Sequence, residues 1–336
     1  MSPADTTPVH LLQQHAAEAA DIVAVVGKSE GNGCVNDFSR TLAALAWEPL
    51  LSAQAVTVFS GGTEGVLSPH VNLLVRDQQV HPGHDRGLVA AAGRTGAIAP
   101  ADLGRLPQVH AVAAVVRSLI EQLAVSAEDV HLVLVKCPLL TSERMATVRA
   151  AGRQPVTDDT YESMAHSRAA SSLGIALALG ECTDADVLSA LQGSMQVWSE
   201  RASASAGAEL EDCHVMVLAV SRAAANPLRA VHGAMADAID IASVQRLLEV
   251  VRADGGELVQ IFAKAEADPS GRVRGQRHTM LTDSDINSTR HARAAVGGLL
   301  AALRGDPRVY VSGGAEHQGP PGGGSITLIY RVPEHR

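Results

Sequence analysis

Residues 21–33 read DIVAVVGKSEGNG, an apolar, β-branched run that ends on Lys28 and passes into a glycine-rich turn. Short, continuous and bounded by charge and glycine, it has the character of a buried strand and not of a helix. The pattern returns twice, in VHLVLVKCPLL (130–140), closing on Lys136, and in GELVQIFAKAEAD (256–268), closing on Lys264. Working outward, three further apolar runs each end on a serine. They are AVTVFSGGTEG (55–65) with Ser60, HVMVLAVSRAA (214–224) with Ser221, and RVYVSGGAEHQG (308–319) with Ser312. Between each lysine and its serine lies a helical stretch of small residues that carries an arginine. FSRTLAALAW (38–47) holds Arg40, HSRAASSLGIALAL (166–179) holds Arg168, and TRHARAAVGGLLAAL (289–303) holds Arg290 and Arg293. Arg40 precedes Ser60 by 20 positions and Arg293 precedes Ser312 by 19, whereas Arg290 precedes it by 22. That spacing, with the Arg-Ala-Ala shared by Arg168 and Arg293, selects Arg293. Repetition of strand–Lys, Arg–helix, strand–Ser predicts an α/β chain of three similar units: A over 1–100, B over 101–242 and C over 243–336.

The bulk composition narrows the function. A chain of 336 residues is ample to bury a core, and with 46% hydrophobic but only 2% aromatic residues that core must be Ala, Val, Leu and Ile. A net charge of -9 argues against nucleic acid or an anionic membrane as partner, since both reward clustered cations. No apolar stretch is long enough to cross a bilayer. The opening MSPADTTPVHLLQQHAAEAA lacks a basic segment followed by an apolar one, so a cytoplasmic location is expected. Cys34, Cys137, Cys182 and Cys213 show no zinc-ligand spacing and read as free thiols.

A single lysine closing a strand is ordinarily a solvated strand end, and a serine after a strand is ordinarily a turn former. Recurrence of both, in the same order, in three otherwise divergent units favours a shared task. A partly buried lysine close to other cations loses proton affinity and can act as a base. Such a base can activate a serine hydroxyl, which is otherwise a weak nucleophile. Glycines 61, 62, 313 and 314 carry no Cβ, so backbone N–H groups beside Ser60 and Ser312 can approach a ligand oxygen. Three serine cradles suit a small ligand with three carbonyls related by three-fold symmetry. Other polar residues read as structural. His70, His278, His291 and His317 are scattered, GKSEGNG lacks the order of a phosphate-binding loop, and Asp283 and Asp285 in DSDIN read as the cap of the helix that carries Arg293.

The segments GKSEGNGCVNDFSR, SGGTEGVLSPH, VKCPLL, SRAASSLGIALALGE, KAEADPSGRVRGQRHTMLTDSDI and SGGAEHQGPPGGG resemble the signature segments of the cyanuric acid hydrolase/barbiturase family, from about residue 20 to the C-terminus. The resemblance implies three repeats around a pseudo-three-fold axis, forming a barrel-like core with outer helices and one central site. It implies hydrolytic opening of cyanuric acid to carboxybiuret, which yields biuret and CO2; barbiturase, opening barbituric acid to ureidomalonate, is the alternative. A non-catalytic binder of cyclic imides is the rival from another class, and three retained Ser–Lys pairs argue against it. Carried over, Ser60, Ser221 and Ser312 with the N–H groups of Gly61, Arg222 and Gly313 would hold the ring carbonyls, and Arg40, Arg168 and Arg293 would bind from outside. Lys136 would be the base and Ser221 the nucleophile, with Lys28 and Lys264 in the two accessory pairs. Ser221 departs from the pattern, being followed by Arg-Ala-Ala and not by Gly-Gly. No cofactor is implied for catalysis. A structural Mg2+ or Ca2+ in unit C would take Glu266 and the loop residues Ala315, Gln318, Gly319, Pro320 and Gly323 as ligands. Expected partners are a small cyclic imide and further copies of the chain.

Overall fold

Strand β1 (Ile22–Ser29) alternates its side chains between two apolar environments, as a strand buried on both faces must. Ala24 and Val26 turn to a centre shared with residues from the rest of the molecule, while Val25 packs with Trp47 and Ala43 of helix α2 (Phe38–Trp47). The structure, a computed structural model, describes residues 2–13, 17–77 and 81–334. Label α1 belongs here to His10–Gln13.

The first sheet has the order β2–β1–β3, with β2 at Val56–Gly61 parallel to β1 and β3 at His70–Val75 antiparallel to it. The second has the order β4–β7–β5–β6, from β4 (Gly87–Arg94), β5 (Val130–Pro138), β6 (Ala202–Gly207) and β7 (His214–Ser221). In it β5 runs parallel to β6 and antiparallel to β7. The third runs β12–β9–β13–β8, from β8 (Leu228–Met235), β9 (Glu257–Ala265), β12 (Tyr310–Gly313) and β13 (Gly324–Arg331). A short hairpin of β10 (Arg272–Val273) and β11 (Gln276–Arg277) stands apart. Each of the three larger sheets thus holds one parallel pair, and the helix between its strands packs on the outer face. Helix α2 fills this role in the first sheet and α8 (Ser288–Arg304) in the third. In the second, α5 (Thr160–Ala178) does so, flanked by α3 (Leu106–Leu123), α4 (Ser142–Ala150) and α6 (Asp184–Leu191); α7 (Ile241–Ala253) joins α8.

Each site-bearing helix starts on a side-chain cap. Asp37 accepts from Ser39 N, Asp159 from Tyr161 N, and Asn287 from Thr289 N. The DSDIN segment therefore does cap the helix that carries Arg293, through Asn287, while Asp283 orders the turn before it by accepting from Asp285 N and Ile286 N.

The inner faces of all three sheets meet in one apolar centre, which includes Ala24, Val58, Leu134, Met216, Phe262 and Tyr310. The expected barrel-like core needs correction. Among the described residues no strand pair joins one sheet to another, so there is no closed barrel, and the sheets are held together by side-chain packing. Unit edges are also interleaved: β4 hydrogen-bonds into the second sheet and β8 into the third. Among the described residues no helix is long and apolar enough to cross a membrane.

Candidate active site

Strand parity carries the three lysines inward. Lys28 continues the row of Ala24 and Val26, Lys136 that of Leu132 and Leu134, and Lys264 follows Phe262 by two residues. All three are buried, and they are the only lysines in the sequence. The parallel ladders set Lys28 opposite Ser60, Lys136 opposite Ser205 and Lys264 opposite Ser312. Lys28 Nζ donates to Ser60 Oγ at 3.2 Å and to the Gly61 carbonyl at 3.2 Å. Lys264 Nζ donates to Ser312 Oγ at 3.0 Å, to the Gly313 carbonyl at 3.3 Å and to the Ala204 carbonyl at 2.7 Å. Ser60 Oγ in turn donates to Ser312 Oγ at 3.3 Å. The middle pair differs. Lys136 Nζ donates to the carbonyls of Phe59 at 2.8 Å and Ala206 at 3.3 Å, and Ser205 Oγ has no hydrogen-bond partner among the described residues.

The structure moves the serine of the middle unit from 221 to 205. Ser221 ends the antiparallel strand β7, whose other end, His214, is the register partner of Lys136. Seven residues of strand at about 3.3 Å each put Ser221 roughly 23 Å along the sheet from that end. There it pairs with Gly87 and its hydroxyl accepts from Ala223 N, while Arg222 is exposed. Neither belongs to the cluster. Ser60, Ser312, Gly61, Gly313, Arg40, Arg168, Arg293 and all three lysines do.

Correct alignment of the middle unit brings out a repeat that was not visible before. Ser60-Gly-Gly-Thr-Glu64, Ser205-Ala-Gly-Ala-Glu209 and Ser312-Gly-Gly-Ala-Glu316 share the spacing Ser-x-Gly-x-Glu. Each glutamate meets the arginine of another unit. Arg293 from the third unit holds Glu64 of the first, with Nη2 at 2.5 Å and Nε at 2.7 Å. Arg168 from the second holds Glu316 of the third at 2.6 and 2.8 Å. Arg40 from the first lies 3.7 Å from Glu209 of the second and donates to the Ala206 and Cys34 carbonyls. The chosen Arg293 is buried, whereas Arg290 reaches Glu64 at 3.3 Å from the rim. Two glycines are required by this packing. Gly62 (φ +99) and Gly314 (φ +76) have left-handed backbone, and a Cβ there would lie 2.5 Å from Arg293 and 2.4 Å from Arg168.

Burial drives the electrostatics. It pulls Lys28 and Lys264 well below the usual lysine range, helped by the charges of Arg293 and Arg168 respectively. Lys136 is pulled down less, to about 8, because the Glu209 carboxylate opposes the effect of burial. Burial alone would raise Glu64 and Glu316, but their arginines hold both below the ordinary carboxylate range. A lysine kept uncharged beside a serine can accept a proton, and buried guanidinium groups around it can bind carbonyl or oxyanion oxygens.

The sequence model described as amidohydrolase ring-opening protein matches residues 1–331. The chain belongs to the ring-opening amidohydrolase family. A cyanuric acid amidohydrolase from Rhodococcus sp. is 62% identical over 98% of this chain and 93% of its own length. One from Pseudonocardia dioxanivorans is 62% identical over 98% of this chain and 96% of its own. A solved cyanuric acid hydrolase from A. caulinodans superposes with a TM-score of 0.93 at 44% identity, over 98% of this ring-opening amidohydrolase and 96% of that chain.

Proposed function

We propose that this amidohydrolase opens the ring of cyanuric acid by means of the Lys136–Ser205 dyad, in a pseudo-three-fold site. The observation that carries this reading is the inequality of the three pairs. Two serines are engaged by their own lysines, and the third, Ser205, accepts no hydrogen bond from its lysine. In the first step Lys136 takes the Ser205 proton as Oγ bonds to a ring carbonyl carbon. The tetrahedral oxyanion is held by N–H and guanidinium donors; the ring C–N bond then breaks, and Lys136 returns the proton to the departing nitrogen. Water adds to the acyl-enzyme and releases carboxybiuret, which loses CO2 to leave biuret. Ser60 and Ser312, with Arg168 and Arg293, bind the other two carbonyls, and this explains why those pairs are locked together. The repeat of Ser-x-Gly-x-Glu and its exchange of arginines between units support a three-fold site matched to a three-fold ring.

The unit C loop suits a hard cation. Glu266 is largely buried, and burial together with nearby Glu316 raises its carboxyl to about 7, so a charged form lacks compensation there. One oxygen accepts from Gly322 N at 3.1 Å. Gln318 spends its side chain on Ala204 N and the Gly314 and Glu316 carbonyls, so the complementary ligands would be the backbone carbonyls of Ala315, Gln318, Gly319, Pro320 and Gly323, of which those of Ala315, Gln318 and Pro320 also accept from backbone N–H groups. Mg2+ or Ca2+ held this way would neutralise Glu266 and fasten the loop to β9. Copies of the chain are also expected to associate in the cytoplasm.

The deciding experiment follows ultraviolet absorbance of cyanuric and barbituric acid side by side, with parent protein and Ser205→Ala. Turnover of cyanuric acid at the higher kcat/KM, abolished in the variant, is expected. Preference for barbituric acid would reassign the substrate, and full activity of Ser205→Ala would remove the dyad.

A further inference from the structure

The three glutamates of the Ser-x-Gly-x-Glu repeats occupy equal positions but make unequal contacts. Glu64 and Glu316 each grip an arginine with two charge-assisted hydrogen bonds and ion-pair with no lysine. Glu209 instead has Oε1 at 3.2 Å from Lys136 Nζ and at 3.7 Å from Arg40 Nε. Both cations are 2% exposed and the carboxylate 7%, so water does little to screen the contact. Among the described residues its second oxygen, Oε2, and Arg40 Nε have no hydrogen-bond partner, and a small cavity lined by Arg40, Thr57, Phe59, Lys136 and Glu209 adjoins them.

We propose that Glu209 is the positioning residue that singles out Lys136 among the three lysines, by pairing with its Nζ opposite Ser205 and keeping it able to carry a proton. The role rests on the dyad argued above, but concerns which group controls the base. An ammonium in direct contact with a carboxylate is retained more strongly than one whose nearby carboxylates, Glu64 and Glu316 here, are engaged by arginines. A proton carrier must both accept and return, and works best with an affinity near the working pH. Burial pulls Lys28 and Lys264 well below the usual lysine range, and both already bond their own serines. Lys136 sits in between, at about 8. The groups facing it are Glu209, Arg40 and, across the β5–β7 ladder, His214, while the adjacent Cys137 thiol lies on the other face of the strand. Of these the carboxylate alone favours its charged form strongly.

Because the sequence contains only three lysines, full-length protein labelled with 13C at lysine Cε gives three side-chain signals, and Lys136→Arg identifies the one of interest. In Glu209→Gln the Lys136 midpoint should fall by about one unit or more, the scale of losing an opposite charge within about 4 Å. The acid limb of kcat/KM should move to lower pH with it, and kcat should fall. Glu209→Asp should recover part of both. Glu64→Gln should leave the Lys136 midpoint in place. A Lys136 midpoint unchanged in Glu209→Gln, or displaced equally in Glu64→Gln, would overturn the proposal. If Glu209→Gln does not fold, Glu209→Asp is read in the same way: a lowered Lys136 midpoint supports the role and an unchanged one overturns it. The titration needs no turnover, so its outcome is independent of whether Ser205 is the nucleophile.

Discussion

Lys136 lies directly opposite Ser205 in the β5–β6 ladder, yet its ammonium is spent on the Phe59 and Ala206 carbonyls and on Glu209, not on the serine. The equivalent lysines, 28 and 264, bond their serines at 3.2 and 3.0 Å. One serine of three is therefore not bonded by its own lysine, inside a cluster of cations, and the consequences can be measured.

Ser205→Ala should lower kcat by more than about 10^3-fold, as loss of a nucleophile does, while substrate binding persists. Ser60→Ala and Ser312→Ala should cost about 10^2–10^3-fold, the scale of one lost oxyanion or carbonyl contact. Ser221→Ala, at the far end of β7, should stay close to the parent. Steady-state kinetics of the four variants decide the matter. Greater loss at 221 than at 205 would restore the assignment made from sequence alone.

That misassignment has a physical origin. The strands β1, β5 and β9 were legible because they are buried on both faces and read as continuous apolar runs, so their closing lysines stood out. Strand β6 reads ASASAG: its Ala202, Ala204 and Ala206 pack outward in the core of the second sheet, while Ser203 and Ser205 face the other way. Nothing in that alternation of two small residues announces a strand. β7, with HVMVLAVS, does announce one, and its terminal serine imitated the pattern, but only the ladder shows that the strand runs the wrong way. The spacing Ser-x-Gly-x-Glu, shared by 60–64 and 312–316, was the signal that would have found Ser205. The arginines were legible because each lies in a helix of small residues between a lysine and its serine, with spacing choosing Arg293 over Arg290, whereas their glutamate partners depend on contacts between units.

Glu316→Ala should destabilise the protein by about 3–5 kcal/mol, because it strands the buried guanidinium of Arg168 without a partner. Adding Arg168→Ala to that variant should cost less than the sum of the two single changes. Denaturant or thermal unfolding of the parent, both single variants and the double variant makes the comparison. Strict additivity would show that the pair is not coupled.

Added Mg2+ or Ca2+ should raise the unfolding midpoint, and a chelator should lower it, with activity lost only as the fold loosens. The sign with pH follows from Glu266. Its folded value of about 7 lies above the ordinary 4.5, so its contribution is fully present below about 4.5 and is lost as pH rises through 7. The cation's benefit should therefore be larger at pH 8 than at pH 5.5, and Glu266→Gln should abolish it. Equal response of parent and Glu266→Gln would place the ion elsewhere, and an immediate, reversible loss of kcat on chelation would make it catalytic.

Acid should unfold the protein partly through His70 and His131. Burial pulls both down to about 4; in His131 the neighbouring His232 adds to it, with the two Nδ1 atoms 2.9 Å apart. That contact needs one nitrogen as donor and the other as acceptor, so it survives only while one ring is neutral. Both histidines bind protons more weakly folded than unfolded, where the value is about 6.5. Their contribution is thus complete above pH 6.5 and is lost as pH falls from 6.5 through 4. At roughly 1.4 kcal/mol per unit, each is worth on the order of 3 kcal/mol across that window. Unfolding midpoints of the parent and His131→Leu between pH 7.5 and 4.5 test this. The gap between them should close, and then reverse in favour of the variant, as the pH drops; parallel curves would show that His131 is not held neutral by the fold.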